Sequence, residues 1–385
     1  MDLTRLVSRQ GRGPLTGVDR VEFAYLCELL RRPEPAFGLV RTRFGFVTLG
    51  RAGMCGLRAR IEGAPSGKTD LIGRLSWRGD PVRAAAEADA RRGALGRAVV
   101  PLLGLLMRRL PRGFVYLNVG HANLTDRVMQ AVKARGGQVA VLVHDTIPLD
   151  HSDLTRPGIP QVFSRKLQAV ARNADLVIHS TEDARQKTEV HMTRMGRCPP
   201  ALVVPLGVEL PDPDPAIVVP ETPYVIALGT VEPRKNIALL LDVWDRGGVA
   251  MPDLLLVGGR GWESEALFQR IAVTPKVTHV PGLPDGHVAA LLCGSLGLVF
   301  PSLAEGFGLP PLEAAALGVP VIASDLAVLR GLLGDYPVYL DPSDIYAWME
   351  TIRALAGGMQ TPHHRKSPII PPTWAHHFNA VLRSV

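Results

Sequence analysis

The sequence predicts an α/β chain of two doubly wound, Rossmann-like domains that face a central cleft, and three observations predict it. Short, wholly apolar runs rich in Val, Ile and Leu alternate with helix-like stretches, the pattern of a parallel sheet covered on both faces. The chain has 385 residues, 46% hydrophobic and 21% charged, too long for one compact core and suited to about two domains. Between the halves, ELPDPDPAIVVPETP (209–223) is punctuated by proline and reads as a linker.

In the first domain (1–208), Leu3–Ser8 is the expected first strand, followed by a loop over Arg9–Gly17 and a helix from Val18 to Leu30. FVYLNV (114–119), QVAVLVH (138–144), ADLVIHS (174–180) and ALVVPLG (201–207) read as later strands. Residues 50–95 are rich in Arg and Gly and carry no period that places them. The apolar run Ala98–Met107 contains a proline, spans about half a membrane thickness and is flanked by Arg97, Arg108, Arg109 and Arg112. It reads as a core helix or an interfacial one. The second domain (224–370) is more regular. Strands are expected at 224–230, 253–259, 277–282, 297–302 and 319–325, with helices over Ile237–Trp244, Glu263–Ile271, Asp285–Leu292 and Pro311–Leu317.

Charge is unevenly divided. Residues 1–210 hold 32 Lys and Arg against 19 Asp and Glu, a balance of +13, while residues 211–385 hold 11 against 17, a balance of −6. The basic half suggests an anionic partner. Only 7 of the 43 basic residues are Lys, so Arg-favouring coding is the competing explanation. The four cysteines stand far apart with no CxxC pair, which excludes a disulfide framework and a zinc site and fits a reducing compartment. No apolar segment follows the first charges, so no signal peptide is expected. Aromatic residues make up 5% and do not interleave with basic ones, so no nucleic-acid partner is expected.

Ligands of doubly wound domains bind at the carboxyl ends of the strands. Two strand ends of the second domain carry chemistry. After Phe300, PSLAEGFGLPPLEAAALG presents Glu305, two glycines, and prolines that open a helix where a missing N–H costs least. The amides of Gly306 to Leu309 thus form an anion site at a helix N-terminus. Glu305 and Glu313, eight positions apart, suit sugar and ribose hydroxyls. In LGTVEPRKN (228–236), Arg234 and Lys235 follow a buried strand and can neutralise a departing diphosphate without a metal.

EGFGLPPLE resembles the E-x7-E motif of the retaining glycosyltransferases of family 4, which have the GT-B fold. GTVEPRKN is similar to that family's donor-diphosphate motif, and the likeness runs over residues 223–355. The resemblance implies a two-domain GT-B enzyme whose C-terminal helix, within 371–385, crosses back to the first domain. It implies that Glu305 holds donor sugar hydroxyls beside the amides of Phe307, Gly308 and Leu309. By the same likeness Glu313 takes the ribose, Arg234 and Lys235 the diphosphate, and the backbone of Gly282 and Leu283 the base.

In the first domain, GRGPLTGVDRVEFAYLCELL (11–30) is similar to the family's opening loop and helix. There Gly17 would admit donor phosphates, and Arg20, one turn on, would contact the acceptor. His144 and Asp145 end a buried strand; the likeness implies that His144 hydrogen-bonds donor sugar or acceptor, with Asp145 beside the acceptor. Asn118 and His121 end another strand, where acceptor contact and loop structure are equally good readings. Ser180 and Thr181 read as site residues or as a helix cap. Two patterns are set aside: Asp212 and Asp214 mimic a metal-binding DxD but sit in the linker. The histidine pairs His363–His364 and His376–His377 have no metal-ligand partners at helical spacing.

The expected function is therefore retaining, metal-independent transfer of a hexose, mannose first, from a nucleoside-diphosphate sugar. No cofactor is required. The acceptor is a glycan or lipid-linked saccharide of bacterial surface polysaccharide (capsule, lipopolysaccharide or exopolysaccharide). The place is the cytoplasm, with peripheral contact to anionic membrane. The rivals are another nucleotide-sugar enzyme of this fold, such as an epimerase, and a non-catalytic nucleotide-sugar-binding protein.

Overall fold

The computed structural model describes residues 1–77, 79–357 and 367–385; His363 and His364 lie outside them. Thirteen strands form three sheets among the described residues. They are β1 (Gly38–Thr42), β2 (Gly45–Leu49), β3 (Ala94–Val99), β4 (Val115–Asn118), β5 (Gln138–Leu142), β6 (Leu176–His179) and β7 (Ala201–Val203) in the first half. The second half holds β8 (Tyr224–Leu228), β9 (Asp253–Val257), β10 (Val277–Val280), β11 (Leu298–Phe300), β12 (Val321–Ser324) and β13 (Val338–Leu340).

The six strands of the second half are all parallel, in the order β10-β9-β8-β11-β12-β13. Their apolar runs are what a sheet covered on both faces requires, and β8, β11 and β12 are buried at every position. Strand order reverses between β8 and β11. The loops after those two strands, carrying Arg234–Lys235 and Glu305–Leu309, therefore flank the switch-point crevice.

The first half differs from expectation at its start. Thr4–Arg9 is a helix, not a strand: Leu3, Leu6 and Val7 recur at helical spacing and are buried together, and the Thr4 amide donates to Asp2 Oδ1 (3.0 Å). Ahead of it, Asp2 alone forms a strand-type bridge, parallel to Leu39. Asp2 N–H donates to Leu117 O and Leu3 N–H to Leu39 O. This short segment joins the antiparallel sheet β1-β2-β3 to the parallel sheet β4-β5-β6-β7. The helix Gly17–Arg31 brackets the expected one, with a Thr16/Asp19 capping box at its start.

Residues 50–95 fold into helices Arg51–Ile61, Leu71–Ser76 and Pro81–Arg92. The last has no apolar stripe because it is buried on its polar side too. Glu87, Asp89 and Arg91 are buried in ion pairs with Arg83, Arg60 and Asp70, beside buried Ala86 and Ala88. Ala98–Met107 is not one helix. It is the end of β3, a 3-10 turn (Val100–Leu102) and a short helix (Leu103–Met107). No described helix is long and apolar enough to cross a membrane.

The C-terminal helix Trp374–Arg383 crosses back to the first domain. Tyr25 meets His377 and Phe378 edge-on at centroid distances of 5.5 and 5.0 Å. His377 Nδ1–H donates to Pro205 O, and the Tyr25 hydroxyl bonds Nε2 at 2.7 Å. Trp374 and Phe378, four apart, stack at 5.1 Å as the spacing predicts. Phe378 is buried, so Phe378→Ala should cost about 3 kcal/mol in urea denaturation. Limited proteolysis should then release the C-terminal segment first.

Candidate active site

The loop after β11 begins with buried Ser302 and then turns Glu305 inward. Lys235 Nζ donates to Glu305 Oε1 at 2.5 Å, and Arg234 Nη1 lies 3.0 Å from the same oxygen. The Lys235 ammonium also sits 4.4 Å from the Phe300 ring centroid. Leu303 N–H donates to Arg234 O, which ties the two strand-end loops together. Burial alone would push the Glu305 carboxyl up. The Lys235 and Arg234 charges, with hydrogen bonds from Lys235 and Ser302, hold it down to about 2 instead. Glu305 is thus a permanent carboxylate that holds both cations, and Arg234 also pairs with Glu232 at 3.1 Å.

Gly308 caps the helix Leu309–Ala316 at φ +98°, a conformation that suits glycine; a Cβ there would also strike the Leu329 side chain. The helix starts two residues before the expected Pro311. Its prolines at 310 and 311 have no N–H, so the anion-binding capacity rests on Leu309 and the loop before it. The amides of Gly306, Phe307 and Gly308 donate to no group among the described residues. Phe307 itself is buried.

The two domains meet at this loop. A Cβ on Gly306 would stand 2.9 Å from Asp145 Oδ2 and from His144 O, so the close approach requires glycine. Thr181 caps the helix Glu182–Arg194, the structural one of its two readings, and its hydroxyl reaches Gly306 O at 3.5 Å. Between the domains lies a cavity of about 170 Å³, lined by Asp145, Asp150, Asp183 and Lys187 on one side and Ala304–Gly306 and Leu326–Val328 on the other. Burial pushes the Asp145 carboxyl up, with Glu305 adding to it against Arg234 and the Ile147 amide. A larger cavity of about 290 Å³ lies at the opposite strand ends, lined by Leu39, Phe114 and Leu117. It holds none of these groups.

His144 is buried, and its Nε2–H donates to Val119 O at 2.7 Å. Burial lowers its pKa to about 4, so the ring is neutral at pH 7. The His121 ring lies 5.0 Å from it and 3.0 Å from Leu142 O by Nε2. Asn118 is fully buried, its amide donating to Tyr116 Oη and Ala122 O. Of its two readings, these bonds are those of the loop-structure one. Arg20 Nη1 lies 2.8 Å from Glu313 across the cleft. Burial raises the Glu313 pKa against that pairing. Gly17 opens its helix with no atom within 4 Å of where a Cβ would stand, and Gly282 (φ +74°) has equally open space. Leu283 is partly buried against the core. The linker Asp214 pairs with His287 at 3.1 Å, and no group of three metal-ligating side chains occurs among the described residues. Asp150, Asp183 and Lys187 were not legible as cleft residues; their only signal is acidic side chains in the first turns of two helices.

Residues 222–357 match the family model "Glycosyl transferases group 1". The chain carries a group 1 glycosyltransferase domain. It is 27% identical over 285 residues to the "Serotype-specific mannosyltransferase WbdA" of Escherichia coli, covering 67% of this chain and 34% of that protein. It is 37% identical over 131 residues to the "O-antigen chain mannosyltransferase B" of Escherichia coli, covering 32% and 34%. The chain thus spans about a third of the length of these curated relatives. Among solved structures, Anabaena HepE in complex with UDP-glucose superposes with TM-score 0.63 at 15% identity over 97% of both chains. That likeness covers both halves and establishes the GT-B fold, and the fold alone. The group 1 domain contains the Glu305–Lys235–Arg234 cluster and the loop that meets Asp145.

Glu305→Gln leaves the buried Lys235 without its counter-charge, while Arg234 keeps Glu232, so the ligand-free protein should lose ~3 kcal/mol at neutral pH. The Glu305 pKa is depressed, so its stabilisation is complete above the unfolded value of 4.5 and fades as pH falls toward 2. The wild-type-minus-variant difference in urea unfolding should shrink through that window. An equal difference at every pH would show that the ion cluster is not its origin.

Proposed function

We propose that this chain is a retaining glycosyltransferase that moves a hexose, mannose first, from a nucleoside-diphosphate sugar to a saccharide or lipid-linked acceptor. The setting is bacterial surface-polysaccharide synthesis. The observation that carries the reading is the switch-point arrangement. A buried carboxylate shares two cations beside unpaired loop amides, and the first domain's His144 and Asp145 close over them. Mannose is favoured by the names of the relatives, which are mannosyltransferases of O-antigen synthesis.

The donor diphosphate would enter at Arg234, Lys235 and the amides of Gly306–Leu309. Its negative charge draws the two cations partly from Glu305, which turns its freed lone pairs to the sugar hydroxyls. Glu313 would exchange Arg20 for the ribose diol. As the glycosidic C–O bond breaks, the cations and amides stabilise the departing diphosphate, and no metal is needed for that charge. The acceptor hydroxyl attacks from the same face, and its proton passes to the leaving phosphate oxygen. His144, neutral and fixed through Nε2, offers Nδ1 as an acceptor for a sugar hydroxyl. The meeting of Gly306 with Asp145 keeps water from the anomeric carbon.

The test is nucleotide release from GDP-mannose, with UDP-glucose as the comparison donor and oligomannoside acceptors. Release should persist in EDTA and yield an α-linked product by NMR. Glu305→Ala should lower kcat by roughly a hundredfold or more. An epimerised donor with no transfer would assign the site to the epimerase reading. Absence of nucleotide binding by calorimetry would assign the chain to the non-catalytic one.

A further inference from the structure

The first domain's wall of the crevice holds two cations that the proposed reaction does not use. Arg5, on the helix Thr4–Arg9, gives its Nε to Asp19 Oδ1 at 2.6 Å. Its terminal nitrogens bond no group among the described residues, and its side chain is 36% exposed, so they are open to a ligand. Lys166 Nζ donates to His121 O at 2.8 Å and forms no ion pair among the described residues. The two are brought together through one loop. Thr4 Oγ1, next to Arg5, accepts from the Asn123 side-chain amide at 2.7 Å, and Asn123 is two residues from His121. This places them between two contacts of the domains. Asp19 precedes Arg20, which meets Glu313 across the cleft, while the His121 ring lies 5.0 Å from that of His144, whose carbonyl approaches Gly306.

Neighbouring carboxylates do not cancel this charge. Asp19 is shared by Arg5 and Arg9, one negative charge against two positive ones. Glu22 is fully buried, and burial, with Asp2 adding to it, pushes its carboxyl well above the ordinary range and weakens its claim on Arg5. His121 and His144 are lowered by burial, and Arg5 is among the charges that add to it. Burial also lowers the Lys166 pKa, again with Arg5 adding to it. One guanidinium is thus within electrostatic reach of all three groups, and an anion between Arg5 and Lys166 would relieve the repulsion.

We infer that Arg5 and Lys166 hold an oxyanion, a phosphate or a carboxylate, carried by the acceptor sugar, so that the acceptor is an acidic saccharide. The inference rests on the transfer reaction proposed above and adds the charge of its acceptor. Asp19 fixes Arg5 through Nε and leaves the two terminal nitrogens to face a pair of oxygens, while Lys166 has two N–H groups to spare. The donor's phosphates are assigned to Arg234, Lys235 and the amides of Gly306–Leu309 on the opposite wall. A second pair of cations therefore calls for a second anion. A neutral acceptor would leave both cations uncompensated as closure of the crevice expels water.

The experiment is calorimetric titration of inorganic phosphate into the full chain saturated with GDP, which fills the donor site. Phosphate should still bind, and added NaCl should weaken it. Lys166→Gln and Arg5→Gln should each weaken it about tenfold and leave GDP affinity unchanged. Arg108→Ser, an exposed arginine outside the crevice, should bind phosphate as wild type. Melting temperatures are compared first; if Arg5→Gln is unstable because Asp19 loses a partner, Lys166→Gln alone decides. Mannose 6-phosphate and glucuronate, titrated in turn, tell a phosphorylated acceptor from a carboxylated one. Neutral methyl mannoside should bind about tenfold more weakly than the better of the two. No phosphate binding by the GDP-saturated chain, or equal binding by wild type and Lys166→Gln, would overturn the inference. Absence of GDP binding would instead overturn the transfer reading. Phosphate is then titrated into the ligand-free chain, where loss on Lys166→Gln still decides whether the anion site exists.

Discussion

The arrangement turns on one buried carboxylate. Glu305 lies where the Lys235 ammonium would otherwise be buried without a carboxylate partner, an uncompensated burial that costs several kcal/mol, and it shares Arg234 with Glu232. The three groups reach each other only because β8 and β11 are adjacent in the sheet though 70 residues separate Lys235 from Glu305. The Leu303–Arg234 backbone bond then sets the register of the two loops. A cluster held this tightly by its own charges is preorganised for an anion that can join it, since the dipoles and cations are already oriented.

Closure of the first domain onto that cluster rests on missing atoms as much as on contacts. Gly306 lets Asp145 and the His144 carbonyl approach to distances no side chain would allow. Arg20 and Glu313 form a direct charge pair across the cleft. In the proposed reaction the donor ribose also claims Glu313, which links donor entry to domain contact.

The charge split of +13 against −6 has a narrower meaning in three dimensions. Part of the basic complement is paired internally, as in the helix Pro81–Arg92, where the ion pairs of Glu87, Asp89 and Arg91 stand in for an apolar stripe. A net charge counted along the chain cannot separate paired from unpaired arginines, because pairing joins residues far apart in sequence, such as Arg5 with Asp19 or Arg91 with Asp70.

Local chemistry was legible wherever it repeats along the chain. Wholly apolar strands, Pro310 and Pro311 at a helix start, glycines at the loop after β11, and Trp374 four residues before Phe378 each declare themselves by spacing, since helix and strand periods are set by the backbone. The second domain and its donor-side motifs followed from these. The first domain resisted for a physical reason. Leu3, Leu6 and Val7 satisfy a short helix as well as a strand, and a helix buried on its charged side has no amphipathic signal. Only tertiary structure decided that Asn118 is enclosed, that Arg20 belongs to Glu313, and that Leu102 and Leu105 face outward while Leu103 and Leu106 face in. Those outcomes depend on which surfaces the fold brings together, and burial is a property of neighbours that the sequence does not list.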